Sequence, residues 1–278
     1  MEPSMIPEVY ERITLPFLGL GAMAIVIAVL LPAFAILGFM TGRGNRNRKI
    51  ASGEDVDLRA GESSLGAIMA LLGLLLAFSF GSALSVLESR KTDIITEANA
   101  LGTAFLRADY LPEPSRSELK AVLYDYAQTR IVPETAGIVS ADEAMAFIQR
   151  SLAAQDRLWP VTLEATREPL APAIATFVAS SVNDVLDAHQ VRMRSISVPV
   201  SELSQVMVVV TALAALFLLG NRTGIAGRAL TWRTYVFAGL LFLVMVTVLD
   251  VQRASQGLIR VDQSALHATL AAMEAELR

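Results

Sequence analysis

Four stretches of this chain contain no Asp, Glu, Lys or Arg: residues 13–42, 63–87, 203–221 and 234–249. A helix needs about 20 apolar residues to cross the hydrocarbon core of a bilayer. The first two stretches exceed that length and the third matches it. The fourth is short, and Trp232, Arg233 and Tyr235 at its edge supply the interfacial and snorkelling groups that let a short span fit. With 54% of its residues hydrophobic, the chain is read as an all-α membrane protein in the lipid bilayer. Four transmembrane helices are expected, at about 14–40, 64–87, 198–220 and 233–250, in a two-plus-two arrangement around a helical polar insert, 88–196. Residues 1–87 form the N-terminal tail and first pair of spans, 197–250 the second pair, and 251–278 a tail helix.

Glu2, Glu8 and Glu11 stand against Arg12 ahead of the first stretch, the wrong sign for a signal peptide, and its apolar run is too long for one. Pro16 and Pro32 lie inside it with Gly19, Gly21 and Gly38, and Pro32 is expected to kink the helix. A net charge of −4 gives no basis for nucleic-acid binding. The absence of cysteine excludes disulfides, thiolate catalysis and cysteine metal sites.

Short-loop charge predicts orientation. Arg43, Arg46, Arg48, Lys49 and Arg59 follow the first span, and Arg222, Arg228 and Arg233 join the last two without an acid among them. Both loops are expected in the cytoplasm, with the insert and termini outside.

The insert shows helical periodicity throughout. Ile94, Ala98, Leu101 and Phe105 form a narrow apolar seam, ended by Pro112 and Pro114. Ser115 with Glu118, and Ser140 with Glu143, have the spacing of capping boxes. Pro133 closes the helix after the first box, Pro160 is expected to bend or end the one after the second, and a further helix spans 264–277. "GRG" at 42–44 and "GNRTGIAG" at 220–227 lack the Gly-Lys-Ser/Thr ending of a phosphate loop and are read as short flexible connections.

No break separates the second span from the charges after it: "FSFGSALSVLESRK", 78–91, contains no proline. One rod from Gly66 to about Asp109 would be roughly 65 Å long and would couple the membrane seam to the insert. On a helical wheel Gly66, Gly73, Ala77, Phe80 and Leu84 share one side, with Ala70, Gly81 and Ser85 at its border. Small residues at four-residue steps let membrane helices approach closely. That approach is either ordinary packing within one chain, or several copies of this helix around an axis. In the second case Gly73, Leu76, Ala77, Phe80 and Leu84 would line a pore, and rings of Leu76, Phe80 and Leu84 could gate it by dewetting.

Two polar groups accompany the rod. Glu88, Arg90 and Lys91 face, in chain order, the returning His189, Arg192 and Arg194. They could form a charged pore mouth that concentrates anions, or simply meet lipid headgroups. Glu97, Asn99, Thr103 and Arg107 could pair with Asn183, Asp184 and Asp187, by interhelical hydrogen bonds or as a ligand site. His189 with Asp184 and Asp187 does not share one helix face, so no metal site is assigned and no cofactor is expected. Asp250, at the edge of the fourth span, is expected at the interface, with a proton relay as the alternative. No catalytic motif appears, and the chain is not expected to be an enzyme.

The run from Gly73 to Ile131 resembles the bestrophin-like domain family of bacterial membrane proteins. The resemblance is carried by Glu88 and Arg90, "EANALGTAFLRADYLP" (97–112), "SELKAVLYDYAQTR" (117–130) and "SVNDVLDAHQVR" (181–192). The tail "LDVQRASQGLIRVDQSAL" departs from the family pattern at Val251, Gln252 and Ala254. The resemblance implies an integral protein of a bacterial inner membrane. Through true bestrophins it further implies a homo-oligomer, specifically a pentamer, passing small anions along the second span, with the helical domain in the cytosol, opposite to the side the loop charges favour. The alternative function is a membrane-anchored interaction or sensor protein whose insert binds a partner and which has no pore.

Overall fold

The computed structural model describes residues 19–57, 61–132, 141–167, 169–197, 202–252 and 260–278. Among them there is helix and no strand. The helices are α1 (Leu20–Ala51), α2 (Glu62–Arg107), α3 (Ser115–Thr129), α4 (Ala141–Ala165), α5 (Pro172–Ser197), α6 (Glu202–Ile225), α7 (Trp232–Gln252) and α8 (Ser264–Leu277). Four of them, α1, α2, α6 and α7, are long and apolar enough to cross a membrane. Pro16, Pro133 and Ser140, with the capping box assigned to Ser140, lie outside the described residues.

The chain divides into two compact units. Of the described residues, one draws on 19–85 and 202–252, the other on 86–197 and 260–278. α2 contributes residues to both and is unbroken for 46 residues, as its lack of proline predicts.

In the first unit, α1 and α6 pack closely, and α1 also meets α7. Their core joins Ile27, Leu31 and Ala35 of α1, Leu72 of α2, Val208, Ala212, Ala215 and Leu216 of α6, and Ala238, Leu241 and Met245 of α7. Two glycine pairs, each spaced by four, make the α1–α6 approach possible. A Cβ built on Gly38 would lie 1.9 Å from the Phe217 carbonyl oxygen, and one on Gly42 2.0 Å from that of Asn221. From the other side, a Cβ on Gly220 would meet the Ala35 oxygen at 2.0 Å and one on Gly224 the Phe39 oxygen at 2.3 Å. The backbones are in contact, which only glycine permits. Asn221 then donates from Nδ2 to Thr41 Oγ1 at 3.1 Å across the crossing.

This corrects two expectations. "GRG" at 42–44 lies inside α1, and 220–225 of "GNRTGIAG" inside α6, so neither is a flexible connection. The polar sequence after residue 42 keeps its helix to Ala51 because backbone hydrogen bonding does not require apolar side chains, and Arg48 and Lys49 suit the negative end of the helix dipole. Pro32 sits within α1, and Pro160 within α4, which continues to Ala165 rather than ending there.

In the second unit the predicted seam is the core. Ile94, Ala98, Leu101 and Phe105 are buried with Leu119, Leu123 and Tyr126 of α3, Leu158 of α4, Val178, Val182 and Val185 of α5, and Leu266 and Met273 of α8. The expected tail helix, α8, docks there. The Gln263 carboxamide both accepts from the Val132 N–H (2.9 Å) and donates to its carbonyl (3.0 Å). Lys120, itself buried, pairs with Asp109 at 2.5 Å and with Glu276 of α8. The Ser115 capping box does not form, since the helix begins at Ser115 itself and Pro114 holds the cap position. Glu113 takes that role, accepting from the Ser117 hydroxyl at 2.7 Å and its N–H at 3.4 Å.

Candidate functional site

Two arrangements stand out, one in each unit. The first is the face of α2 in its apolar stretch. Leu65, Leu72 and Ala83 are buried, and Ile68, Met69, Leu75 and Leu76 lean on the helix core. The opposite side is bare and splits in two by helical geometry. Gly66, Gly73, Ala77, Phe80, Gly81 and Leu84 fall within an arc of about 100°, all exposed, with Phe80 at 40% and Leu84 at 45%. Leu71, Leu74 and Phe78 form the bulkier neighbouring arc. A Cβ built on Gly66, Gly73 or Gly81 would meet nothing within 4 Å. Among the described residues the small-residue stripe is therefore not consumed by packing within the chain, where α1 and α6 use their own glycines. Of the candidates for a pore lining, Leu76 stands apart, half-buried at the edge of the core.

The second arrangement is a buried charge network built on α2, α3 and α5. Glu97 lies one turn along the seam from Ile94 and is fully buried. Its Oε1 accepts from Arg130 Nε at 2.6 Å and its Oε2 from Arg192 Nη1 at 2.5 Å. Tyr126 donates its hydroxyl hydrogen to the same Oε1 at 3.1 Å, and His189 Nδ1 lies 2.9 Å from that hydroxyl oxygen. Because the Tyr126 proton is committed to Glu97, the imidazole is the donor in the second contact, which sets its tautomer. The Arg130 guanidinium also stands 5.9 Å from the rings of Tyr126 and Phe147.

Burial alone would raise the Glu97 carboxyl, but the Arg130 and Arg192 guanidiniums overcome it and hold it at about 2. Burial, reinforced by the same two cations, pushes His189 down to about 3, so the imidazole is neutral. Both groups are depressed in the folded state, so the stability each contributes is present above its unfolded value and lost as pH falls. The first loss begins near 6.5, the ordinary value of His189, and continues toward 3. The second follows from 4.5 toward 2 at Glu97. Thermal melts of the purified protein are expected to drop progressively below pH 6.5, and His189→Gln should flatten the upper part of that decline. A melting temperature constant from pH 7 to 4 would contradict this assignment.

The structure redistributes the polar residues singled out from the sequence. His189 and Arg192 join Glu97 in the core, whereas Glu88, Lys91 and Arg194 are exposed. Arg90 is buried, its Nε 3.5 Å from the Ser195 carbonyl oxygen. Asn99, Asn183, Asp184 and Asp187 are exposed, with Asn183 donating to Asp187 at 3.0 Å, so none of them meets Glu97. Arg107 donates to the Phe177 carbonyl at 3.1 Å and stacks 3.9 Å over its ring. Asp250, expected at an interface, is only 3% exposed.

Sequence reasoning missed Tyr126 and Arg130. Their signal was present: Tyr126 falls on the apolar face of α3 with Leu119, Leu123 and Ala127, and Arg130, which caps that helix, continues the same spacing. A charge on an apolar face implies a buried partner.

A family model described as Bestrophin-like domain matches residues 60–266. Among curated proteins, none matches this chain. The fold is similar to solved structures of a bacterial Bestrophin homolog from Klebsiella pneumoniae. One, a tryptophan-to-alanine variant, aligns with a TM-score of 0.56 at 13% identity, over 93% of this chain and 96% of that one. An isoleucine-to-threonine variant aligns at 0.55 and 11% identity, over 90% and 98%.

Proposed function

The chain belongs to the Bestrophin-like domain family, and from that premise we propose that it is an integral membrane protein whose copies assemble around α2 to form a passive conduit for small anions. The observation that carries this reading is the bare small-residue arc of α2, whose glycines face open space. Packing rather than the hydrophobic effect joins helices in lipid, so such an arc suits another helix, while the bulkier Leu71, Leu74 and Phe78 suit acyl chains. In the assembled ring Phe80 and Leu84 would form stacked apolar constrictions, with Leu76 at their margin. Exposed Glu88, Lys91 and Arg194 would set the charge at one mouth. A closed ring of about five copies, two-plus-two spans around the insert and an inner-membrane location complete the proposal.

Chloride efflux from liposomes tests it. Phe80→Ala is expected to raise flux several-fold, because a wider and more easily wetted constriction lowers the dewetting barrier, while native mass stays constant. Unchanged flux in an intact assembly would remove Phe80 from the conduit.

One observation favours the second reading, a partner-binding insert without a pore. A surface groove of about 510 Å³ lies between α3 and α4, with Ile131 and Phe147 among its apolar lining and Asp125, Gln128, Arg150 and Arg157 among its polar groups. Under that reading Phe80→Ala affects only stability, and changes in the insert abolish function.

A further inference from the structure

The close α1–α6 crossing gathers cations, three of which, Arg43, Arg46 and Arg228, have no acid within ion-pair distance among the described residues. Gly42, more than two turns before the end of α1, meets the last turn of α6 at Gly224, so that a Cβ on Gly224 would lie 2.7 Å from the Arg43 amide nitrogen. α6 then ends in a turn in which the Gly227 N–H reaches the Gly224 carbonyl (3.1 Å) and the Arg228 N–H that of Thr223 (3.2 Å). Gly227 takes φ +69°, the left-handed conformation that closes such helix ends. Its missing side chain leaves room for Arg46. A Cβ there would lie 2.9 Å from both Cζ and Nε of Arg46 and 3.1 Å from Nη2. The guanidinium is thus laid against the glycine, one residue before Arg228.

Among the described residues, no carboxylate lies within ion-pair distance of Arg43, Arg46 or Arg228, whereas nearby Arg222 is matched by Glu62 at 2.8 Å. The same end of the unit carries Trp232, 70% exposed, and Tyr235, 46% exposed, the residue types that settle at headgroup depth. Helix ends favour cations in general, but that does not explain why one guanidinium is seated on a glycine beside a second.

We propose that Arg46 and Arg228, with Arg43 beside them, hold the phosphate of an anionic phospholipid headgroup at the α1–α6 end. Guanidinium donors match phosphate oxygens in a bidentate manner, and an anionic headgroup supplies the charge this cluster lacks. The site is independent of whether a pore exists.

Native mass spectrometry of the full chain in detergent, with dioctanoyl phosphatidylglycerol or the zwitterionic dioctanoyl phosphatidylcholine added at equal concentration, tests it. Phosphatidylglycerol adducts are expected to dominate in the wild type. Arg46→Gln and Arg228→Gln should each weaken them about fivefold, the effect of one cation near an anionic surface. Arg48→Gln is the control, since two residues along a helix turns the side chain by about 200°. It removes the same charge from the same helix and should leave binding nearly intact. An Arg48→Gln loss equal to that of Arg46→Gln would overturn the site in favour of diffuse attraction. Equal adducts of both lipids in the wild type would overturn it without any variant. Displacement of phosphatidylglycerol by inorganic phosphate at the same concentration would also overturn the lipid assignment, making free phosphate the ligand.

Discussion

Glu97→Ala is expected to destabilise the protein by about 3–5 kcal/mol, the loss found when one partner is removed from a buried ion pair. The reason is specific to this network. Glu97 is bonded directly to both Arg130 and Arg192, at 2.6 and 2.5 Å, and all three side chains are buried. Its removal leaves two guanidiniums close together without the charge between them, and Tyr126 without the acceptor of its proton. Glu97→Gln keeps the shape but not the charge and should cost less than alanine while remaining clearly destabilising. The check is chemical or thermal unfolding in detergent, followed through the signal of the insert. A loss below about 1 kcal/mol, the size of an exposed pair, would show that the network is not the keystone of that unit. Double-mutant cycles of Glu97 with Arg130 and with Arg192 would then apportion the coupling.

The second large effect is expected at the glycine crossing. Gly38→Val or Gly220→Val places a branched side chain where even a Cβ would lie 1.9 or 2.0 Å from a backbone oxygen. No rotamer relieves that contact, because the obstacle is main chain. α1 and α6 must separate, and the layer around Ala35, Ala212, Ala215 and Leu216 opens with them. The cost should reach the upper end of overpacking, about 3 kcal/mol or more, with a falling yield of folded protein. Gly73→Val is the comparison, since its Cβ would meet nothing within 4 Å in the single chain. It should leave the single chain folded and, under the proposed assembly, disturb association between copies. Equal damage from Gly73→Val and Gly220→Val within the single chain would contradict the packing described.

How much of this could be read from residues alone differs from element to element. The four membrane-length helices follow directly from charge-free length, because burying a charge in hydrocarbon is costly. The seam Ile94, Ala98, Leu101 and Phe105 was legible from its spacing and is the core of its unit. The glycine crossing was not. Gly42 and Gly220 stand next to Arg43, Asn221 and Arg222, and that polar setting suggested loop where the helices in fact continue. Four-residue glycine spacing on both segments was the available signal.

The charge network was legible only in fragments. Glu97 drew attention, but its bonded partners lie 33 and 95 residues away on two other helices, a distance that periodicity cannot bridge. His189 and Arg192 were grouped with Glu88 and Lys91 by closeness in chain order to the membrane surface. Helix rotation decides otherwise and turns them inward. The α2 stripe shows the converse case. Its small residues were evident in the sequence, while its openness depends on which face of α2 the rest of the chain covers, and that is a tertiary fact.

The measurement that tests the central claim most directly is the native mass of the protein purified in mild detergent. Assembly around the bare arc of α2 predicts a single closed species of about five copies, with Phe80→Ala retaining it. A monomer would contradict a conduit shared between copies and would leave the groove between α3 and α4 as the place where function resides.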